Sequence, residues 1–258
     1  MKIKYLVTTD ERGEHINTLI SHKYPKFIDE TSPDLILLTG GDGALLHAIQ
    51  KHNHLHVPFF GIASGTLNFL MNRTENPGEV IDRLANDKHA LHFLDTTSIR
   101  VSLYEGNLFK FIGYAVNEIT IGTSVMGYHH FSITSEDKSF DNFEIKGAGV
   151  EVCTEVGSTG FNFNLGGSVL PLGTNLWNMV GIICNRYLDD IIKIQRVEIV
   201  NLSDRQPPSI LLDGVTNGLT LQKEQKLVLE KGEVVKIAFL NKDEFLSKRI
   251  EIASRYRK

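Results

Sequence analysis

The sequence predicts an α/β domain with an open parallel sheet, followed by a β-rich domain. Over residues 1–95, short apolar strand patterns alternate with helix-like stretches, as in proteins whose parallel strands are joined by helices. After about residue 95 the pattern changes to short runs rich in Ile, Val, Phe and Tyr, which are typical of strands joined by turns. We therefore predict an α/β domain over 1–95, a β-rich domain over 96–240, and a helical tail over 241–258 that packs back on the first domain.

The elements of the first domain are predicted from their hydrophobic periods. Strands show uninterrupted apolar runs, and helices repeat apolar residues every three or four positions. The predicted strands are 3–8, 34–39 and 57–62, and the predicted helices are 11–23, 44–52 and 77–88. Glycine-rich turns follow the second and third strands. In a parallel sheet, both turns lie at the carboxyl edge, where ligands bind.

The second domain shows a series of short strand patterns. The predicted strands are 97–104, 108–122, 128–134, 144–153, 197–202, 209–212, 227–229 and 234–240. Asn217-Gly218 predicts a hairpin turn, and Lys231-Gly232 predicts a turn between the last two strands. Asp213-Gly214 is interpreted chiefly as a further turn. The apolar stretch 176–184, which contains the only tryptophan, is expected in the core or at a subunit contact.

Composition argues against several classes of function. The 258-residue chain has 27 Lys and Arg against 31 Asp and Glu, and it has no long basic run, so nucleic acid is not an expected partner. No apolar run reaches membrane-spanning length, and the N-terminal apolar core is too short for a signal peptide, so no membrane association is expected. Cys153 and Cys184 form no metal or disulfide pattern, which predicts a reduced cytoplasmic location.

The most informative motif is Gly40-Gly41-Asp42-Gly43, between an apolar strand and a helix. Its glycines let a ligand approach backbone N–H groups, and a helix starting near Ala44 adds the positive end of its dipole, as in phosphate sites. A carboxylate in such a site repels phosphates unless it binds a metal ion or accepts a proton from the hydroxyl that is phosphorylated. Asp42 therefore points to phosphoryl transfer. The alternative is a simple strand-to-helix turn in which Asp42 caps the helix.

Two further polar segments lie in the β-rich domain. Asn117-Glu118 interrupts an apolar run, and its amide and carboxylate suit a base or ribose edge. The alternative is a strand edge with Glu118 in solvent and Asn117 in a turn. The segment 153–167 combines glycines, hydroxyls and aromatic rings that suit a nucleotide. Its alternative is a short helix capped by Ser158 with Phe161 in the core.

In this order the three motifs resemble those of the NAD kinases, whose superfamily includes diacylglycerol and sphingosine kinases. The resemblance covers most of the chain and is most specific at Gly40–Gly43, Asn117-Glu118, Gly157–Thr159 and Gly166-Gly167. It implies an α/β domain joined to a β-rich dinucleotide-binding domain, with the active site between them in a homodimer or homotetramer. It also implies NAD and ATP, or polyphosphate, as substrates and Mg²⁺ or another divalent cation as cofactor, with no metal ligand assigned in the chain.

The resemblance also implies roles for individual residues. Asp42 would be the general base for the 2′-hydroxyl of the adenosine ribose of NAD, and Phe69 would line the pocket floor. Asn117 and Glu118 would bind the adenosine, and Lys146 stands where the family often has a basic residue. The other implied nucleotide-binding residues are Gly41, Gly43, Ser158, Thr159, Gly160, Phe161, Asn162, Phe163 and Asn164.

The chain departs from the family pattern at several positions. Ala44 stands where the family usually has Thr, and Gly147-Ala148-Gly149 stands in place of Gly-Asp-Gly. Cys153-Thr154-Glu155-Val156 replaces the usual Ser-Thr-Pro-Thr, and Phe161 replaces a tyrosine. Ala63 and Thr66 stand in the second glycine turn, which lacks the usual Asn or His. The expected function is a kinase that converts NAD to NADP. One alternative is a dinucleotide-binding sensor without turnover, which the changes at Ala148 and 153–156 favour. The other is a lipid or nucleoside kinase of the same superfamily.

Overall fold

The computed structural model describes residues 1–6, 11–64, 68–86, 91–122 and 127–241, together with 246, 247, 249, 251 and 254. The predicted strand end at 7–8, the helix end at 87–88 and the turn residues 65–67 lie outside this described part. The chain divides into two compact units, one of residues 1–95 with 235–258 and one of residues 96–234. The expected boundary at 240 differs from the observed one at 234, because Ile237 pairs with Phe59 in the first unit.

The first unit contains a parallel sheet. Its strands are β1 (Ile3–Leu6), β2 (Leu35–Gly40) and β3 (Phe59–Ala63), and its helices are α1 (Glu11–Lys23), α2 (Asp42–His52) and α3 (Pro77–Asn86). Strand β2 lies between β1 and β3 and pairs with both in parallel. Every residue of β2 and β3 is buried, as expected for parallel strands covered on both faces. The predicted α/β architecture is confirmed.

The side chain of Asn72 fixes the segment that follows β3. Its amide nitrogen donates to the carbonyls of Gly61, at 3.0 Å, and Ala238, at 3.1 Å. Its amide oxygen accepts from the N–H of Leu240 at 2.9 Å. Asn72 is only 7% exposed, so these groups have little access to water. The residues just before Asn72, which include Phe69, are therefore anchored to the sheet.

The second unit is an antiparallel β structure, as predicted. Its strands are β4 (His92–Glu105), β5 (Leu108–Ala115), β6 (Glu118–Gly122), β7 (His129–Ser135), β8 (Phe143–Thr154), β9 (Leu176–Cys184), β10 (Asp189–Lys193), β11 (Val197–Asn201), β12 (Ser209–Leu212), β13 (Val215–Thr220) and β14 (Lys226–Phe239), with a short helix α4 (Phe161–Asn164). The first residues of β4 and the last of β14 belong to the first unit. Strand β8 pairs with β6, β7 and β9. Trp177, on β9, is fully buried in the core of this unit.

Two predicted turns are wrong. The hairpin between β12 and β13 turns at Asp213-Gly214, where both residues have positive φ, as this turn type requires. Asn217-Gly218 lies inside β13, where the pairing with β12 shifts register, so its glycine serves a bulge. Strand β14 runs through Lys231-Gly232 without turning. A Cβ on Gly232 would lie 2.5 Å from Ser98 Oγ, so glycine is needed there for close strand contact.

Two more differences concern strand assignment. The predicted run 108–122 is two strands, because the chain turns at Val116-Asn117 between β5 and β6. Strands β9 and β10 were not predicted as strands. The mostly apolar stretch 176–184 gives no alternation that indicates β9, and β10 (Asp189–Lys193) has only two apolar residues between charged ones.

We predict that Asn72→Ala lowers the free energy of unfolding by about 2–4 kcal/mol, because it removes three hydrogen bonds from one buried side chain to the backbone at Gly61, Ala238 and Leu240. Urea unfolding of the full chain measures this. The control is Asn86→Ala, which removes one exposed bond to the carbonyl of Asp82 and should change stability by less than about 0.5 kcal/mol. Equal stability of both variants would contradict the anchoring role of Asn72.

Candidate functional site

The glycine turn after β2 is tightly packed on one side. Gly40 has a φ of +142°, which favours glycine, and a Cβ there would lie 2.8 Å from the Cβ of Ala44. Gly41 is the N-cap of α2, and the helix begins at Asp42, two residues earlier than predicted. Asp42 is therefore in the first turn of α2, where the helix dipole favours negative charge.

The Asp42 carboxylate holds the segment after β3. Its Oδ2 accepts from the N–H of Phe69 at 2.8 Å, and its Oδ1 accepts from the N–H of Leu70 at 3.0 Å. The capping alternative is wrong, because no side chain makes a capping bond at this helix start. Burial raises the pKa of Asp42, although the two N–H donors and the positive charges of Arg249 and Arg73 act in the opposite direction. Asp42 and Phe69 are thus brought together.

Gly43 is not required by packing. It lies inside α2, and a Cβ built on it would meet no atom within 4 Å. Glycine in a helix costs about 0.5–1 kcal/mol relative to alanine. The absence of a side chain leaves open space beside Asp42, which suits the close approach of a ligand.

In the second unit, Asp213 holds the turn that carries Asn117 and Glu118. Its Oδ1 accepts from the N–H groups of Val116 at 2.9 Å, Asn117 at 2.7 Å and Glu118 at 3.3 Å. In return, the N–H of Asp213 donates to the carbonyl of Glu118 at 2.9 Å. Successive N–H groups around one carboxylate form an anion nest. The turn at 116–118 and the β12–β13 turn, which carries Asp213, are therefore fixed to each other.

The start of the 153–167 segment is joined to the same turn. Thr154 donates its hydroxyl to the carbonyl of Val116 at 2.7 Å and its N–H to the carbonyl of Asn117 at 2.8 Å. A Cβ on Gly157 would lie 2.1 Å from the carbonyl oxygen of Asn117, so only glycine fits there. A Cβ on Gly160 would lie 3.6 Å from Glu118 Oε2. The second and third motifs therefore form one cluster.

Glu118 is buried, and the alternative that placed it in solvent is wrong. It is 7% exposed, and its Oε2 has no hydrogen-bond partner among the described residues. Burial and the nearby charge of Asp213 raise the pKa of Glu118 to about 8. Glu151, on the adjacent strand β8, is 1% exposed, and burial together with the charge of Glu118 raises its pKa to about 8.

The remaining predicted site residues differ in the burial and the hydrogen bonding of their side chains. Ser158 bonds to the carbonyl of Glu155 and the N–H of Leu170, and its capping alternative is wrong. Asn162 is fully buried and bonds to Ser158, Ser168 and Asn178. Phe161 is 43% exposed, so the alternative that placed it in the core is wrong. Thr159 is buried, Gly160 and Phe163 are half-buried, and Asn164 and Lys146 are exposed.

Comparisons with known proteins agree with the motifs. The chain matches no model of a known protein family. It is 32% identical to the NAD kinase of Rickettsia bellii over 152 residues, or 58% of this chain and 56% of the relative. It is 30% identical to the NAD kinase of Rickettsia prowazekii over 145 residues, which are 55% of this chain and 54% of that relative. The chain thus spans about half the length of the curated relatives it matches.

Solved structures with similar folds cover nearly the whole chain. Yeast NADH kinase in complex with NADH superimposes with a TM-score of 0.80 at 17% identity, covering 97% of this chain and 86% of that one. The NAD kinase of Archaeoglobus fulgidus in complex with ATP gives a TM-score of 0.74 at 19% identity, and the match covers 98% of this chain and 99% of that one. The resemblance to the NAD kinases is confirmed. The fold is that of an NAD kinase.

Residues outside the NAD kinase motifs also contribute to the site. Asp213 was predicted only as a turn residue, although an aspartate before a glycine could have indicated a carboxylate that accepts N–H groups. Glu155 is 3% exposed, and its Oε2 accepts from the N–H groups of Thr174 and Asn175. The sequence does not identify the N–H partners of Asp213 or of Glu155, because these partners are distant in the chain.

Two further observations concern the described residues as a whole. They contain no group of three or more His, Cys, Asp or Glu side chains that could hold a metal ion. None of their helices is long and apolar enough to cross a membrane.

We predict that Gly157→Ala lowers the free energy of unfolding by about 1–3 kcal/mol, because its methyl group overlaps the backbone of Asn117. Thermal and urea unfolding measure the effect. The matched control is Gly43→Ala, whose methyl group meets no atom, so stability should stay equal or rise. If the two variants were equally stable, Gly157 would not pack against Asn117 as described.

Proposed function

We propose that this protein is a kinase that transfers the γ-phosphoryl group of ATP to the 2′-hydroxyl of the adenosine ribose of NAD, giving NADP. The observation that carries the proposal is the Asp42 carboxylate, which two backbone N–H groups hold at the start of α2 beside the open Gly43. The similarity to NAD kinases and the fold support the choice of substrates.

Asp42 acts as the general base in this proposal. Each of its oxygens accepts one N–H and keeps further acceptor capacity for a ribose hydroxyl. Burial raises the pKa of Asp42 above its ordinary value, which makes the carboxylate a stronger base. The ribose oxygen attacks the γ-phosphorus, the bond to the ADP oxygen breaks, and the hydroxyl proton passes to Asp42. The N-terminus of α2 favours the negative charge of the phosphates.

In this proposal, the cluster of residues around Glu118 binds the dinucleotide. Asn117 Oδ1 and Glu118 Oε2 have no partner among the described residues, so both are free to bind the adenosine. The exposed ring of Phe161 offers a stacking surface. The internal bonds of Ser158 and Asn162 assign them a supporting role in this segment.

Mg²⁺ enters the proposal with ATP. Magnesium in kinases is usually held by substrate phosphates and only one or two carboxylates, so it needs no cluster of protein ligands. When bound, the cation neutralises phosphate charge. The homodimer or homotetramer and the cytoplasmic location stay predictions.

The direct test is incubation of the full chain with Mg²⁺, ATP and NAD, followed by an enzymatic assay for NADP. Formation of NADP supports the proposal. NAD binding without product would favour the sensor, to which Ala148 and the altered 153–156 segment point. Product from a lipid or nucleoside acceptor, with none from NAD, would favour another kinase of the superfamily. Repeating the assay with polyphosphate identifies the donor.

We predict that Asp42→Asn lowers kcat by about 10²–10⁴-fold, because the amide cannot accept the hydroxyl proton. Its single amide oxygen keeps one of the two bonds, to Phe69 or to Leu70, so the variant should fold with reduced stability and still bind NAD. Single-turnover kinetics and calorimetry measure the two effects. Asp95→Asn, at an exposed position, is the control and should keep normal turnover. Wild-type turnover in Asp42→Asn would refute the base assignment.

We predict that Gly43→Ala separates stability from activity. The unfolding free energy should rise by up to about 1 kcal/mol, because alanine favours the helix. The methyl group occupies the space beside Asp42, so kcat/KM should fall by about tenfold or more. Urea unfolding and steady-state kinetics measure both quantities. An unchanged kcat/KM would show that substrate does not approach this helix start.

A further inference from the structure

Asp213 has two effects on the residues that precede β6. Its Oδ1 accepts the N–H groups of Val116, Asn117 and Glu118, and its Oδ2 also accepts the N–H of Val116 at 3.0 Å, so the position of this turn depends on one carboxylate. Its negative charge also acts on the Glu118 side chain. Asp213 adopts a φ of +51°, an unusual conformation for a residue with a side chain, which aspartate and asparagine tolerate best.

The surroundings of Glu118 disfavour its charged form. The titratable groups that face it are Asp213 from the β12–β13 turn, and Glu151 and the buried thiol of Cys153 from β8. All three are either acidic or neutral. From the 157–160 turn, Gly160 approaches Glu118 and adds no charge. A buried carboxyl group without a cation beside it is more stable with its proton.

We propose that Asp213 positions Asn117 and Glu118 for dinucleotide binding and that its charge, together with the burial of Glu118, favours the protonated form of Glu118 at neutral pH. The site then offers the dinucleotide an O–H donor in place of a further negative charge. This inference rests on the proposed function. A protonated carboxyl donates one hydrogen bond and still accepts others, whereas a carboxylate only accepts. NAD carries an anionic pyrophosphate, so a neutral Glu118 also avoids repulsion.

The sign of the pH dependence follows from the protonation state. The pKa of Glu118 is raised to about 8, so the group is neutral below that pH and charged above it. If only the neutral form binds well, the apparent Kd for NAD rises by about tenfold between pH 7 and pH 9. Loss of the Asp213 charge should move this rise to lower pH.

The first test follows Glu118 in the ligand-free protein by carboxyl ¹³C NMR, with Glu118→Gln used to assign its signal. We expect a midpoint near pH 8 in the wild type. In Asp213→Asn the midpoint should lie at lower pH. This variant should fold, because the asparagine oxygen can accept the same three N–H groups and asparagine tolerates positive φ. A wild-type midpoint in the ordinary range of glutamate, or no change in Asp213→Asn, would overturn the proposal.

The second test measures NAD affinity by calorimetry between pH 6.5 and 9.5. Glu118→Gln cannot ionise, so its affinity for NAD should no longer change between pH 7 and pH 9. In Asp213→Asn, the affinity for NAD should begin to fall at a lower pH than in the wild type. The control is Asp190→Asn, an exposed position on β10 that should follow the wild type.

The results separate this inference from the proposed function. A flat pH profile in the wild type, or a pH dependence that persists in Glu118→Gln, would overturn the role of a protonated Glu118. If no variant binds NAD at any pH, the proposed function fails. The NMR titration would still decide whether Asp213 controls the charge of Glu118.

Discussion

Two carboxylates, Asp42 and Asp213, each hold a turn by accepting backbone N–H groups, and the candidate residues lie on or beside those turns. Asp42 ties the start of α2 to Phe69 and Leu70, and Asp213 ties the β12–β13 turn to Val116, Asn117 and Glu118. Hydrogen bonds to charged groups contribute about 1.5–3 kcal/mol each, more than neutral ones. They are also directional. These bonds therefore fix the local backbone to which the candidate residues belong.

Burial raises the pKa of both Asp42 and Glu118, but the groups near the two acids differ. Asp42 lies at a helix N-terminus, and its two N–H donors and the positive charges of Arg249 and Arg73 oppose the effect of burial and favour its carboxylate form. Among the described residues, the titratable groups that act on Glu118 are acidic. A base for a hydroxyl proton has to be ionised, whereas a ligand contact for an anionic dinucleotide benefits from being neutral. The environments of the two acids match these different tasks.

The parts of the molecule that could be predicted from sequence are those with local signals. The periods of 1–95 identified β2, β3 and α1, and the glycine pattern located the turn of Asp42, because both depend on neighbouring residues. The hairpin at Asp213-Gly214 and the bulge at Asn217-Gly218 both place a residue that favours turns before a glycine, and strand pairing distinguishes them. The bonds from Asp213 to 116–118 span nearly one hundred residues. No local pattern could predict them.

Two of the departures from the family pattern lie at closely packed or hydrogen-bonded turns. A Cβ on Gly40 would lie 2.8 Å from the Cβ of Ala44, so the start of α2 packs directly on the end of β2 and glycine is needed at position 40. Glu155 replaces a proline, and its carboxylate accepts the N–H groups of Thr174 and Asn175, a third instance of an acid that holds a turn. Proline would rigidify this segment through its ring, whereas Glu155 fixes it through distant hydrogen bonds. Because both positions act on the backbone of a turn, these departures are compatible with a retained phosphoryl-transfer site.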